Sequence, residues 1–199
     1  AILDGEGLTA PSCHLPIEAF DNGTDAIIDA ALTMGHQYVV IPYLTEQQRG
    51  TGIDTYQKLA ARFNQIGEAL HKAGLKFAYH NHDFEFQRTD NQLPYDVLLA
   101  QTDPRYVSME LDLFWTIKAK QDPLAYFANH PGRFPLWHVK DMDSSGNFAD
   151  VGKGVIDFKP IFAKAGQAGL RHAYVERDHT DNKIETIRQG FNSLSSLLA

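Results

Sequence analysis

The residues with most chemistry to offer lie at the ends of four short apolar runs: FAYHNHDFEF (77–86), SMELDLFW (108–115), LWHVKDMD (136–143) and YVERD (174–178). In an extended segment, side chains two apart share a face. His80 and His82 therefore point one way, with Glu85 just beyond; Glu110 shares a face with Asp112, His138 with Lys140, and Glu176 with Asp178. A single Asp or Glu in such a place is usually a helix cap or an ion-pair partner. Four successive runs ending this way are costly to bury without a counter-ion. A bound divalent cation supplies one, and mixed carboxylate and imidazole ligation suits Mn, Co, Mg or Zn. A cation that coordinates a carbonyl and a neighbouring hydroxyl stabilises the enediolate left when the intervening C–H loses its proton, and a nearby carboxylate serves as the base. Reprotonation on the other face gives an epimer, and on the neighbouring carbon an isomer. Loss of a β-oxygen gives dehydration or glycoside elimination.

These runs alternate with helical patterns. Strands are expected over 8–14, 38–42, 76–82, 107–112, 135–140 and 172–176. The opening residues 1–6 read as the tail of a helix closed at Gly5 or Gly7, and a helix over 24–34 stops at Gly35. Asp54 is placed as the cap of the longest helix, whose Leu59, Phe63, Ile66 and Leu70 step by four, three and four. Further helices are expected over 95–101, from Asp122 with Pro123 at its first position, from Asp157, and at the end of the chain with Ile184, Ile187, Phe191, Leu194 and Leu198 on its apolar face. Six βα units with short connections imply an α/β fold with a parallel sheet, and no linker divides residues 1–199. An open doubly wound sheet usually carries a Gly-rich turn after its first strand, and no G-x-G-x-x-G or P-loop is present. Polar residues at successive strand ends instead fit a TIM (β/α)8 barrel, whose active sites gather there. Gly152 and Gly154 form a G-K-G step that reads as a tight turn into the Asp157 helix rather than a phosphate loop.

Composition narrows the partners. The 199 residues carry 18 Lys and Arg against 25 Asp and Glu, a net charge of −7, which disfavours a nucleic-acid surface. Cys13 is the single cysteine, so a disulfide framework and a thiolate-rich zinc site are excluded. No apolar run reaches membrane-spanning length and no signal segment opens the chain, which makes a cytoplasmic location the default.

YHNHDFEF, the E-x-D-x-x-W of residues 110–115, WHVKDMD, VGKGVIDF (151–158) and YVERD together resemble the sugar phosphate isomerase/epimerase family, the xylose isomerase-like barrels, over almost the whole chain. The resemblance implies one divalent metal held by Glu85, Asp112, His138 and Glu176, with His82 on the same approach as Glu85 and able to exchange with it by a change of register. It also implies that Glu85 and Glu176 shuttle protons as an acid/base pair. The expected activity is isomerisation or epimerisation of a ketose or keto-polyol by proton abstraction α to a carbonyl through a metal-stabilised enediolate. The alternative on the same scaffold is a lyase, by inosose-type dehydration or 3-keto-glycoside elimination. His82 and Lys140 are candidates for orienting sugar oxygens, with His80, His14 and Trp115 also facing the substrate. Trp115 stands where some related epimerases carry a histidine, and it can stack on a sugar face.

A closed barrel needs eight strands and typically about 250 residues. Six units are visible, so the chain is expected to be N-terminally incomplete, with any targeting segment among the missing residues, or to be closed by a partner chain as a homo-oligomer.

Overall fold

A computed structural model of the protein describes residues 2–198. Cα packing divides them into two compact units, residues 2–81 with 87–109, and residues 82–86 with 110–198.

In the first unit, β1 (Ser12–His14), β2 (Tyr38–Ile41) and β3 (Lys76–His80) pair in parallel, with Ser12 opposite Tyr38 and Tyr38 opposite Lys76. All four residues of β2 are buried, as the unalternating YVVI run requires of a strand covered on both faces. The strand expected over 8–14 is only three residues long. Pro11 directly precedes it, and a proline offers the ladder no N–H. Of the helix expected over 1–6, Ile2–Gly5 is helical and residue 1 lies outside the described residues. Asp25–Met34 closes at Gly35, whose φ of 75° is the left-handed geometry that glycine adopts without strain.

The long helix Ile53–Lys72 corrects one expectation: its N-cap is Gly52, and Asp54 sits in the first turn, where it accepts a hydrogen bond from Lys58. Ile53 is instead held from across the loop, its N–H donating to the Asp90 carboxylate at 2.9 Å. The apolar stripe buries Leu59, Phe63, Ile66 and Leu70, and the Phe63 ring stacks on Tyr79 of β3 at 5.0 Å. Gly67 lies on the same face because a Cβ there would come within 2.4 Å of the Tyr106 carbonyl oxygen.

In the second unit, the end of β4 (Val107–Asp112) pairs in parallel with β5 (Leu136–Val139), which pairs with β8 (His172–Val175). This register sets Asp112 opposite His138 and His138 opposite Tyr174. Two elements here were not expected. Leu113–Lys118 is a helix that starts directly from β4, and β6 (Asp141–Met142) with β7 (Phe148–Ala149) forms an antiparallel hairpin. Behind β5, Trp137 stacks on Phe127 with ring centroids 4.9 Å apart. Asp122 caps Pro123–Asn129 and Asp157 caps Phe158–Phe162, each accepting a backbone N–H.

The last helix, Lys183–Leu198, also departs from expectation. Its apolar residues do not enter a core: Ile184, Ile187, Phe191 and Leu198 are all more than half exposed. Ile187, Phe191 and Leu198 line, with Val175 and Leu194, an open cleft of about 960 Å³ between the helix and β8. Gly190 is the point of closest approach, where a Cβ would meet Val175 Cγ1 at 2.4 Å. Among the described residues no helix is long and apolar enough to cross a membrane.

Candidate active site

The second unit gathers four carboxylates and two cationic side chains from the ends of β4, β5 and β8. Glu110 and Asp112 project from one face of β4 and are fully buried. Across the register lies His138, whose Nε2 is 3.1 Å from Glu110 Oε2 and whose Nδ1 meets Glu176 Oε2 in a short contact. Two residues on, the buried Lys140 ammonium sits 3.2 Å from Asp112 Oδ2, 3.0 Å from Glu176 Oε2 and 3.1 Å from Asp178 Oδ1. The spacing of two in each strand is what brings the pairs to one side.

The electrostatics follow from that packing. Burial disfavours the imidazolium of His138, but hydrogen bonds and charge from Glu110 and Glu176 outweigh it and hold its pKa at about 10. Burial likewise opposes ionisation of Glu176, yet its hydrogen bond to His138, the charge of that ring and then Lys140 pull it down to about 2. At Asp112 burial wins over Lys140 and His138, and the carboxyl is pushed up to about 6. Lys140 lies above the ordinary lysine range because Asp112 and Glu176 overcome its desolvation.

Asp112 has a second duty. Its Oδ1 accepts the Trp115 N–H at 3.0 Å, capping the helix Leu113–Lys118 and fixing the carboxylate's orientation. Glu85 is fully buried on the short 3-10 turn Phe84–Phe86 and accepts the His82 N–H at 2.8 Å. The His82 ring stacks on Phe84 at 5.6 Å and lies 5.4 Å from Trp115. Burial, and then the charge of Lys140, lower its pKa to about 4, so it is a neutral imidazole.

Of the residues singled out in the sequence, Asp112, His138, Lys140 and Glu176 thus meet directly, and Glu85, His82 and Trp115 belong to the same unit. His14 and His80 belong to the first unit, where their ring centroids are 5.9 Å apart. Three contributors were absent from the expected set. Glu110 and Asp178 were visible as the same-face partners of Asp112 and Glu176. Asp141 was not: its carboxylate accepts backbone N–H groups from Met142, Gly152, Gly154 and Ile156 at 2.8–3.2 Å. The amides of the G-K-G step are therefore taken by the protein's own carboxylate. Gly154 is obligatory there, since a Cβ would fall 2.2 Å from Asp141 Oδ1.

Carboxylates at the C-terminal ends of parallel strands, alternating with helices, define a class of α/β barrel proteins. The family model for the xylose isomerase-like TIM barrel matches residues 14–197, and the chain belongs to that family. It resembles, at 29% identity, a solved sugar phosphate isomerase/epimerase from Parabacteroides distasonis ATCC 8503, with a TM-score of 0.83 over 98% of this chain and 72% of that one. Among curated proteins it is 27% identical over 134 residues to an inosose dehydratase of Lacticaseibacillus casei, covering 58% of this chain and 44% of that protein. An inosose dehydratase of Geobacillus thermodenitrificans is also 27% identical, over 161 residues, covering 72% of this chain and 51% of that protein. The chain spans about half the length of these curated relatives.

Proposed function

We propose that this chain carries the acid–base site of a divalent-metal-dependent enzyme that abstracts the proton α to the carbonyl of a keto-sugar or keto-polyol. The observation that carries the reading is the cluster itself: Glu110, Asp112, Glu176 and Asp178 around only two cationic side chains, His138 and Lys140. Hard oxygen donors with one imidazole fit Mn, Co, Mg or Zn. We assign Asp112, His138, Glu176 and Glu85 as the residues that would hold the ion. When bound, it supplies Lewis-acid polarisation of the substrate carbonyl and neighbouring hydroxyl.

The side chains perform the proton chemistry. Glu176 is ionised throughout the neutral range and is oriented from two sides by His138 and Lys140, as a base must be. Glu85, buried and turned by the His82 N–H, is the second member of the acid/base pair. Protonated at the start, it delivers its own proton to the carbanion while Glu176 keeps the one it removed, and both exchange with solvent before the next turnover. Lys140 places a fixed positive charge beside Glu176, where negative charge grows on substrate oxygen. His82, neutral and aromatic on one side, orients a hydroxyl rather than carrying charge.

Reprotonation by Glu85 completes an isomerisation or epimerisation. A second reading, dehydration, is supported by the relatives named inosose dehydratase and by Lys140, an ammonium beside the base that can protonate a departing hydroxyl. Product analysis separates them. Metal-supplemented protein is offered inososes, 3-keto-glycosides and ketoses in deuterated water, and products are weighed. A product of unchanged composition carrying one deuterium supports epimerisation, loss of 18 mass units of water before exchange is counted supports dehydration, and no conversion of any keto-polyol overturns both.

A further inference from the structure

We propose that Glu110 is a positioning residue for the metal centre: it accepts the hydrogen bond of His138 Nε2–H and so leaves Nδ1 as the nitrogen that binds the ion. The inference rests on the function proposed above and adds to it one residue and a choice of ring atom. Both nitrogens of His138 face a carboxylate, Nε2 that of Glu110 at 3.1 Å and Nδ1 that of Glu176. The two carboxylates differ in kind. Glu110 has no exposed surface, and its place in β4 is opposite Leu136, two residues before Asp112, which stands opposite His138. Glu176 follows the end of β8 and keeps 38% of its side-chain surface open, in contact with Lys140. One carboxylate therefore meets the ring from deeper in the sheet, and the other meets it at the open strand ends.

An imidazole that binds a cation through one nitrogen keeps its proton on the other, and the acceptor which that proton meets sets the tautomer and the orientation of the ring. Glu110 fits that duty. An ionised carboxylate is an acceptor only, and this one is carried by a strand rather than a loop. Tyr174, opposite His138 on β8, packs edge-on against the imidazole at 5.8 Å, so the ring is held at its flank as well as at Nε2. A carboxylate at this depth is costly, and an apolar residue would fill the position at lower cost. Its charge also makes the ring a better electron donor to a cation at Nδ1. Glu176, on the Nδ1 side, is itself one of the assigned ligands, so the nitrogen turned toward it is turned toward the ion's other ligands.

The ring can be read directly. Zinc-loaded protein labelled with nitrogen-15 at histidine gives long-range proton–nitrogen correlations that tell the protonated ring nitrogen from the metal-bound one, and His138→Gln identifies which signals are its own. His138 should carry its proton on Nε2 and bind zinc through Nδ1. Zinc affinity, from competition with a chromophoric chelator, should fall by about 10–100-fold in Glu110→Ala. Glu110→Gln, whose amide oxygen still accepts the Nε2–H, should lose less and keep Nδ1 as the bound nitrogen. Cobalt-loaded parent and Glu110→Gln should share one absorption spectrum, because no ligand is lost. Should Glu110→Ala fail to fold, the parent's tautomer and the Glu110→Gln variant still decide. Zinc on Nε2 or on neither nitrogen of His138, equal affinity in the parent and a folded Glu110→Ala, or a cobalt spectrum of different coordination in Glu110→Gln overturns the inference. If deuterium uptake from solvent into a keto-polyol accompanies such a result, the proposed function stands without this role. Zinc bound at Nδ1 and dependent on Glu110, with no such uptake, upholds the role of Glu110 and overturns the function. A parent protein that binds no zinc overturns both.

Discussion

His138 shows how much of the site depends on a single ring. Its two nitrogens face Glu110 and Glu176, and this pairing raises its pKa to about 10 from an ordinary value near 6.5. A raised folded-state pKa contributes stability that is complete below the unfolded value and lost as pH climbs through the folded one. Chelator-treated protein should therefore lose melting temperature as pH rises from about 6.5 to about 10. His138→Gln, which cannot bind the extra proton, should flatten that part of the curve. A slope unaltered by the substitution would show that the imidazolium is not what the carboxylates hold. Much at this scale could be read from residue types alone, because Glu110 with Asp112 and Glu176 with Asp178 repeat at the strand period. What could not be read was division of labour. Asp112 also caps a six-residue helix, LFWTIK, that is too short to show a helical period of its own.

Elements are positioned by a few backbone approaches that only glycine or a well-placed carboxylate permits. Gly67, on the buried face of Ile53–Lys72, lets the helix close against the Tyr106 carbonyl. Gly67→Ala puts a methyl group 2.4 Å from that oxygen, so despite its better helix propensity it should destabilise the fold by about 1–3 kcal/mol in denaturant unfolding. A gain in stability would mean the helix can shift freely. Asp141→Ala removes the acceptor for four amides at once and should speed amide exchange across residues 142–156, leaving the protection of β5 in place. Uniform loss of protection would instead make Asp141 a determinant of the whole unit. The long helix, β2 and β4 were legible because periodicity and uninterrupted apolar runs are strong signals. Gly52 replaced Asp54 as cap because a loop residue far along the chain, Asp90, supplies the acceptor, and no local pattern records that.

For the molecule as a whole, its net charge of −7 and its family both direct attention to small polar ligands, and its clearest departure from expectation is the final helix. The spacing of Ile184, Ile187, Phe191 and Leu198 gives a proper amphipathic stripe, but an apolar stripe does not state what covers it. With Phe191 68% exposed, Phe191→Ser should change stability by no more than about 0.5 kcal/mol and reduce binding of a hydrophobic dye to the cleft beside β8. A loss of about 3–5 kcal/mol, the cost of emptying a core phenylalanine site, would show that the helix buries this face in solution.

The central claim is that Glu176 removes a proton α to a carbonyl, and isotope exchange at that carbon tests it most directly. Metal-loaded protein and its Glu176→Gln variant are incubated with a keto-polyol in deuterated water, and the α-proton resonance is followed with time. The parent should wash in deuterium, and Glu176→Gln, compared at a temperature where both are folded and at a metal concentration that loads both, should do so about 10²–10⁴-fold more slowly. Equal exchange rates in the two proteins would contradict the account.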